Sequence, residues 1–523
     1  MQPRLALEDT PHGLQVHYNG RALYGPYPRE DAARRTRSLR FPPNTLILWA
    51  SPVVWHGLDE LLKQIDADSA ILAVEADPVL YELARRKRPD LVQHRLALVQ
   101  TQDSQALAAV RTWGERRFRR VVQLTTAGSA VMNRERYRTL ASLLERELHV
   151  FWQNRLTLSA LGRLWLRNAI RNLPALLSAR ALERISGPVV VCGAGPSLET
   201  ALPLLRNHRS ACTLIAVDTA LPVLHAAGLA PDVVLAIEGQ LANVYDFLPV
   251  TERPYRLVAD VTSAPAVLDL HSAWTLCITR FAPLALIDRL GRLSVAYRPL
   301  PPLGSVGVSA VHLAMELGAS PVLTAGLDFA VLPGRTHARG APAYTRALAR
   351  SHRLQRARDA GFGARIVTLQ GARNQVGSTL VMNGYAAELR SLLAPRDDAY
   401  AIAPCGLDTG ATPVSHDRAA QILACSGRPA VQEAAAATVS LGMLRRFVID
   451  EIDALRRFDP VHDSIVCVPD ELDYLGLEIT DRIESIGDRI RIGPLDEPAR
   501  ARLRVARDYY LSRWSATLHN LER

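Results

Sequence analysis

Lysine is almost missing from this 523-residue chain: Lys63 and Lys87 are the only two, so the formal charge of +10 rests on arginine. A basic balance ordinarily suggests nucleic acid. However, the densest runs, ERRFRR at 115–120 and RERYR at 134–138, are short and interleaved with acids. That spacing fits solvated helix faces rather than a stripe tracking phosphates, so no nucleic acid is expected as partner. An acidic small molecule or acidic protein still suits the charge. Cysteine is scarce and unpaired in spacing. Cys192, Cys212, Cys277, Cys405, Cys425 and Cys467 contain no CxxC, which argues against a zinc site or disulfide frame and for buried thiols in a reducing compartment. No apolar signal core opens the chain, and no run approaches the roughly eighteen charge-free apolar residues of a membrane span. The expectation is a soluble, cytoplasmic protein with no integral membrane segment.

What is present is globular material, 48% hydrophobic and 22% charged, in a length that implies two or three domains. After a polar opening, residues 45–125 alternate strand patterns (TLILWAS, AILAVEAD, RRVVQLTT) with helical ones (GLDELLKQID, PVLYELARRKRP), the signature of a parallel sheet with crossover helices. Glu75 and Asp77 stand where nucleotide-binding folds place a ribose ligand. The turn after the first strand, SPVVWHG, carries bulky residues where a phosphate needs bare backbone, so a degenerate structural domain is the expectation for 1–150. Residues 151–186 read as a helical connector. A second alternating region begins at 187, with strands PVVVC, ACTLIAVD, DVVLAIE, YRLVADV, WTLCIT, SPVLTAG and ARIVTLQ, and helices at 198–206, 219–227 and 305–317. Beyond 415 the pattern turns amphipathic at helical spacing, so 416–523 reads as a helical domain. The fold class is therefore α/β: a doubly wound, Rossmann-like sheet at 187–415, preceded by a degenerate α/β domain and followed by helices.

The stretch GAGPSL at 193–198 follows the first strand of that central region. The lysine and spacing of GxxxxGK[ST] are missing, which excludes a Walker A loop. Gly193 and Gly195 fit two positions of a dinucleotide fingerprint, with Asp218 near the distance of a ribose carboxylate, but Leu198 stands where the third glycine gives close helix–strand packing. What remains is a turn in which Gly193 and Gly195 bare their N–H groups, Pro196 fixes the chain and Ser197 caps a helix beginning at Leu198. Such a terminus suits a single phosphate.

These residues carry a resemblance. VVVCGAGPSLE with LIAVDTALPVLHAAGLAPDVVLAIEGQLANVYDF, then LGSVGVSAVHLAMELGASPVLTAGLDFAVLPGRTHARG, then LDTGATPVSHDR, in that order over 187–415, resemble the motility-associated factor (Maf) proteins and the wider MptE-like family. The resemblance implies a sialyltransferase-like domain whose turn holds the cytidine monophosphate part of an activated sugar. It also implies transfer of a nonulosonic acid onto serine or threonine of flagellin. The archaeal branch instead implies a pyrophosphokinase acting on a hydroxymethylpterin.

By resemblance Gly193, Gly195, Pro196, Ser197 and Leu198 line the nucleotide turn, and Asp218 with Thr219 meets ribose or base. Glu238, Gln240 and Asn243 end the next strand on the same edge. The Gly304 and Ser305 N–H groups offer a second anion site at a helix start. Asp328 ends the following strand, with Thr336, His337 and Arg339 in the loop after it. Transfer from a CMP donor needs a base for the acceptor proton; His337 is the first choice because imidazole titrates near working pH, with Asp328 and Glu238 completing the catalytic set. Arg339 can pair with the sugar carboxylate or phosphate. This route requires no cofactor, whereas a pyrophosphokinase needs ATP and magnesium, for which Asp218, Glu238 and Asp328 are the available carboxylates. A non-catalytic protein using an inherited nucleotide pocket is a third reading. The arginine-rich 339–373 is either a flap that closes on an anionic donor or a solvated helix.

Overall fold

The computed structural model describes residues 4–67, 69–87, 95–100, 102–180, 184–279, 281–282, 284–293, 297–332, 336–354, 366–426, 430–432, 439–458 and 497–522. They form two compact units, Met1–Thr157 and Leu158–Arg523.

The first unit opens with an antiparallel sheet of β1 (Leu5–Thr10), β2 (Gly13–Tyr18) and β3 (Arg21–Ala22). The sequence reads this stretch as merely polar, because β1 is exposed along nearly its whole length and only β2 buries side chains such as Val16 and Tyr18. The alternating region then forms a parallel sheet of β4 (Thr45–Ala50), β5 (Ala70–Glu75), β6 (Leu96–Gln100) and β7 (Arg120–Thr125), in the order β6-β5-β4-β7. Every position of β4 and β5 is buried, as strands covered on both faces require.

The crevice at the carboxyl ends of β4 and β7 is filled by protein. Ser51, Val53 and Trp55 adopt φ values of 55°, 51° and 64°, which for a β-branched valine is strained backbone, and Val53 and Trp55 are buried. Ser51 Oγ donates to Glu75 Oε2 at 2.5 Å and lies 2.6 Å from Ser129 Oγ, while Trp49 Nε1 donates to Thr126 Oγ1 at 3.1 Å. Burial pushes the Glu75 carboxyl up to about 7. Asp77 accepts from the Val79 and Leu80 N–H groups at 2.8 and 3.2 Å, capping helix Pro78–Arg86, and from Tyr18 Oη at 2.7 Å. Both acids at the expected ribose position thus hold the fold together.

Helix Arg134–Asn172 places Tyr137, Leu140 and Leu144 in a core of the first unit and Trp165, Leu166 and Ala169 in that of the second. The second unit contains β8 (Ala179–Arg180), β9 (Arg184–Ser186), β10 (Val189–Cys192), β11 (Thr213–Val217), β12 (Val233–Ala236), β13 (Arg256–Asp260), β14 (Trp274–Ile278), β15 (Arg298–Pro299) and β16 (Val322–Ala325). After these come β17 (Val367–Gln370), β18 (Gln375–Ser378), β19 (Ala399–Ile402), β20 (Thr412–Val414) and β21 (Ala430–Gln432). Its main sheet runs β15-β14-β13-β12-β11-β10-β16-β19-β20, parallel throughout. The chain steps outward from β10 to β15 and then returns to the other flank of β10 at β16. That reversal makes β10/β16 the switch point, where ligands of open α/β sheets bind outside the strand carboxyl ends.

Two strand expectations need correction. The described part of ARIVTLQ pairs antiparallel with β18 in a separate hairpin, because its residues alternate between exposed and half-buried and belong to no covered layer. The sheet is completed instead by β19 (AYAI), which has a single branched residue, and by β20 (TPV), which has three residues with a proline at its centre. The C-terminal helices Leu441–Arg457 and Glu497–Glu522 share the core of this unit through Leu444, Phe447 and Trp514. Buried Glu451 receives Arg289 in a two-bonded pair at 2.7 and 2.8 Å. Among the described residues no helix is long and apolar enough to cross a membrane. Cys192, Cys212 and Cys277 are buried free thiols, Cys405 is half-buried and Cys425 exposed, and Cys467 lies outside the described residues.

Candidate functional site

Three backbone donors of the turn after β10 are engaged within the protein. Gly193 N–H donates to Ala325 O at 2.8 Å, Gly195 N–H to Gly326 O at 2.7 Å and Ser197 N–H to Asp328 Oδ2 at 2.8 Å. The expected phosphate cradle is therefore a clasp between the loops that end β10 and β16. Its glycines are needed for contact: a Cβ on Gly193 would strike Leu327 and Gly326 O, and one on Gly195 would strike the Asp328 carboxylate.

Ser197 does not cap its helix either. Helix Ser197–Asn207 starts without a side-chain cap, and Ser197 Oγ accepts from Gly326 N–H at 3.0 Å. Leu198, fully buried, meets the glycine that the fingerprint lacks: Gly326 has φ 72°, and a Cβ there would lie 2.9 Å from Leu198 Cβ. Asp328, 3% exposed, is likewise occupied, since it also faces the Cys405 N–H and Sγ at 3.4 Å each.

At the ends of β11 and β12 the carboxylates differ sharply. Asp218 is buried and accepts from Thr219 N–H at 2.8 Å, Thr219 Oγ1 at 3.2 Å and Asn243 Nδ2 at 2.9 Å. Burial pushes its carboxyl up. Glu238 opens into a cavity and is exposed by surface area, yet protein closes on it from most directions. That surrounding, with Asp218 adding repulsion, pushes its carboxyl up to about 7. Beyond it Gln240 and Asp246 each bury one side-chain oxygen with no hydrogen-bond partner, and burial followed by Asp218 brings Asp246 to about 7. Asp246 escapes sequence reading because VYDF reads as one more amphipathic turn.

The cavity, about 470 Å³, sits at the switch point. Its walls are Gly193–Gly195, Gly304–Gly307, Gly326–Ala330 and the start of helix Leu380–Leu393, and it also receives Thr219, Glu238, Thr336 and His337. Ser305 caps helix Val306–Glu316 through Gly307 N–H at 3.3 Å, while Gly304 N–H is taken by Glu388 at 3.0 Å. His337 Nδ1 lies 2.9 Å from Thr336 Oγ1. Burial, aided by the Arg346 charge, holds its pKa below the ordinary imidazole value, so the ring is neutral near pH 7. The structure thus brings Gly193, Gly195, Thr219, Glu238, Gly304, Ser305, Asp328, Thr336 and His337 to one cavity. Pro196, Ser197, Leu198, Asp218, Gln240 and Asn243 do not line it.

Arg339 is exposed and outside the lining; its N–H donates to Glu199 at 2.8 Å. The cation whose field reaches both His337 and Asp246 is Arg346, on helix Pro342–Ala349. Residues 355–365 of the arginine-rich segment lie outside the described residues. Tyr385 is the other residue missed: it lines the cavity, packs where a Cβ on Gly304 would stand, and meets Phe329 edge-on at 6.3 Å. Among the described residues no group of three His, Cys, Asp or Glu could hold a metal ion. With Asp218 and Asp328 occupied, Glu238 is the carboxylate left facing the cavity.

Comparison with known proteins fits this architecture. Residues 167–334 match the family model described as 6-hydroxymethylpterin diphosphokinase MptE-like. An uncharacterized protein of Treponema pallidum (strain Nichols) is 29% identical over 439 residues, 81% of this chain and 76% of that protein. A second from the same organism is 41% identical over 96 residues, 17% of this chain and 46% of its own length. The solved structure of a MAf glycosyltransferase from Magnetospirillum magneticum AMB-1 has a similar fold, with TM-score 0.56 at 15% identity, covering 100% of this chain and 91% of that one. Residues 167–334, which carry most of the cavity wall, are thus similar to the MptE-like family that the motifs resemble.

Proposed function

We propose that the chain is a glycosyltransferase that moves a nonulosonic sugar from a CMP donor to a serine or threonine hydroxyl of a flagellin acceptor. The observation that carries this reading is the pairing, in one switch-point cavity, of a carboxyl at about 7 (Glu238) with a neutral imidazole (His337). In the transfer the acceptor oxygen bonds to the anomeric carbon, the bond from that carbon to the CMP phosphate breaks, and CMP leaves as an anion. The acceptor proton passes to Glu238, whose pKa is better matched to a general base at neutral pH than that of the depressed His337. His337 and Thr336 then orient the donor, and the N-terminus of helix Val306–Glu316, capped by Ser305, faces the departing phosphate. The Phe329–Tyr385 pair offers an apolar wall to a base or sugar ring. The clasp that occupies the Gly193 and Gly195 donors supplies rigidity.

The match to a diphosphokinase family favours a second reading, pyrophosphate transfer from ATP to a pterin alcohol. The donor set fits it less well, since Glu238 is the carboxylate of the expected three that is open to a magnesium–phosphate complex. Calorimetry with CMP, ATP, and ATP plus magnesium separates the two. Metal-independent CMP binding is expected, and binding of MgATP alone would overturn sugar transfer. The flagellin acceptor is tested separately, by the mass of flagellin from cells lacking the protein.

A further inference from the structure

We infer that the N-terminal unit carries its own binding site for a phosphate-bearing small molecule, in an arginine-lined cleft beside β7. This does not depend on the reading of the central cavity. The cleft, about 530 Å³, brings Arg35, Arg134 and Arg138 together with Ser38, Gln123 and Thr125. Arg134 and Arg138 are four apart on helix Arg134–Asn172 and so share one face, whereas Glu135 lies on another. Interleaved acid in RERYR therefore does not neutralise this face, although the linear sequence makes it look neutral.

The contrast with neighbouring arginines is what points to a ligand. Arg34 pairs with Asp31 at 3.0 Å, Arg37 with Glu60 at 3.4 Å and Arg136 with Asp103 at 3.0 Å. Arg134 and Arg138 have no carboxylate partner among the described residues, and Arg35 has only the Thr126 carbonyl, at 3.3 Å. No acid lines the cleft. All three side chains are exposed, so water and salt screen their mutual repulsion, and what draws a di- or trianion to the cleft is the sum of three charges with no acid among them. Guanidinium forks match phosphate oxygens two at a time.

Position and size agree. Gln123 and Thr125 are two apart on β7, hence on one face, at the carboxyl end where α/β sheets bind ligands. The β4/β7 crevice, the ordinary place, is plugged by the Ser51–Glu75–Ser129 network, so the open space lies on the other flank of β7. The volume is that of a small-molecule pocket, and Ser38, Gln123 and Thr125 supply hydrogen-bonding partners for the hydroxyl-bearing part of a phosphate ester.

The test is calorimetry of the full chain with inorganic phosphate and pyrophosphate. Pyrophosphate is expected to bind, the more tightly of the two. Arg134→Ala/Arg138→Ala should weaken it about a hundredfold, roughly tenfold per lost guanidinium, at an unchanged unfolding midpoint. Arg134→Gln/Arg138→Gln should behave alike, and Glu238→Gln should leave the affinity as it was. The proposal fails if neither anion binds, or if the double variants bind as the wild type does. It also fails if only anionic vesicles, an acidic peptide or RNA show binding that depends on the two arginines.

Discussion

Ser197 and Asp328, 131 positions apart in sequence, are joined by a 2.8 Å bond from the Ser197 N–H to Asp328 Oδ2, and Ser197 Oγ returns a bond to the same loop through Gly326 N–H. This clasp takes up the Gly193, Gly195 and Ser197 N–H groups of GAGPSL. Asp328→Ala leaves the buried Ser197 N–H without an acceptor, and each such orphan costs about 1–3 kcal/mol. A fall of that size in unfolding free energy, read from urea titration by circular dichroism, is expected together with weakened CMP binding. Asp328→Asn keeps one acceptor oxygen and should lose less of both.

Gly326 is the second half of the same device. With φ 72° and a Cβ that would overlap Gly193 O and crowd Leu198, alanine there meets backbone on one side and a packed leucine on the other. Gly326→Ala should destabilise by more than about 2 kcal/mol. Gly228 has nearly the same φ, 70°, but open space around it, so Gly228→Ala should cost only about 1 kcal/mol. Equal losses in thermal or urea unfolding would show that the left-handed backbone, and not the contact with Leu198, sets the cost.

Glu75 gives the N-terminal unit an unusual dependence on pH. Its folded carboxyl titrates at about 7, against an ordinary value of 4.5. Between those values the folded state therefore holds a proton that the unfolded state has lost. Stability contributed by this group falls as pH rises from about 4.5 to about 7, by on the order of 3 kcal/mol. Glu75→Gln should remove that slope. The check is the difference between wild-type and variant unfolding free energies at pH 5 and pH 8; a difference that does not change with pH would rule out a protonated Glu75.

The sheets were legible because β4, β5, β10 and β11 are unbroken apolar runs that a parallel sheet must bury on both faces. Sequence alone also placed Glu238 and His337 on loops that meet at one cavity, since polar residues at strand ends of such a sheet converge on one crevice. It could not show which donors were free. Gly193, Gly195 and Ser197 look like a phosphate turn until Ala325, Gly326 and Asp328, more than a hundred residues later, take up their N–H groups. Arg346 and Asp246 were invisible for a related reason: their charges matter through the folded distance to His337 and Asp218, which no local motif encodes.

Glu238 is where the proposed chemistry is most exposed to test. The base must be ionised to accept a proton, so transfer should rise with pH through about 7 and level off above it. Binding of a donor expels water from the cavity and removes screening from a group that protein already surrounds, so the rise should move to higher pH in the saturated enzyme than in the free one. Glu238→Gln keeps the shape and one acceptor oxygen but has no titration. Its turnover should fall about 10²–10⁴-fold while CMP affinity changes little. His337→Ala should weaken donor binding and leave the rising limb in place. Should the limb disappear from the His337 variant and persist in the Glu238 variant, the imidazole is the base and the carboxylate only shapes its field.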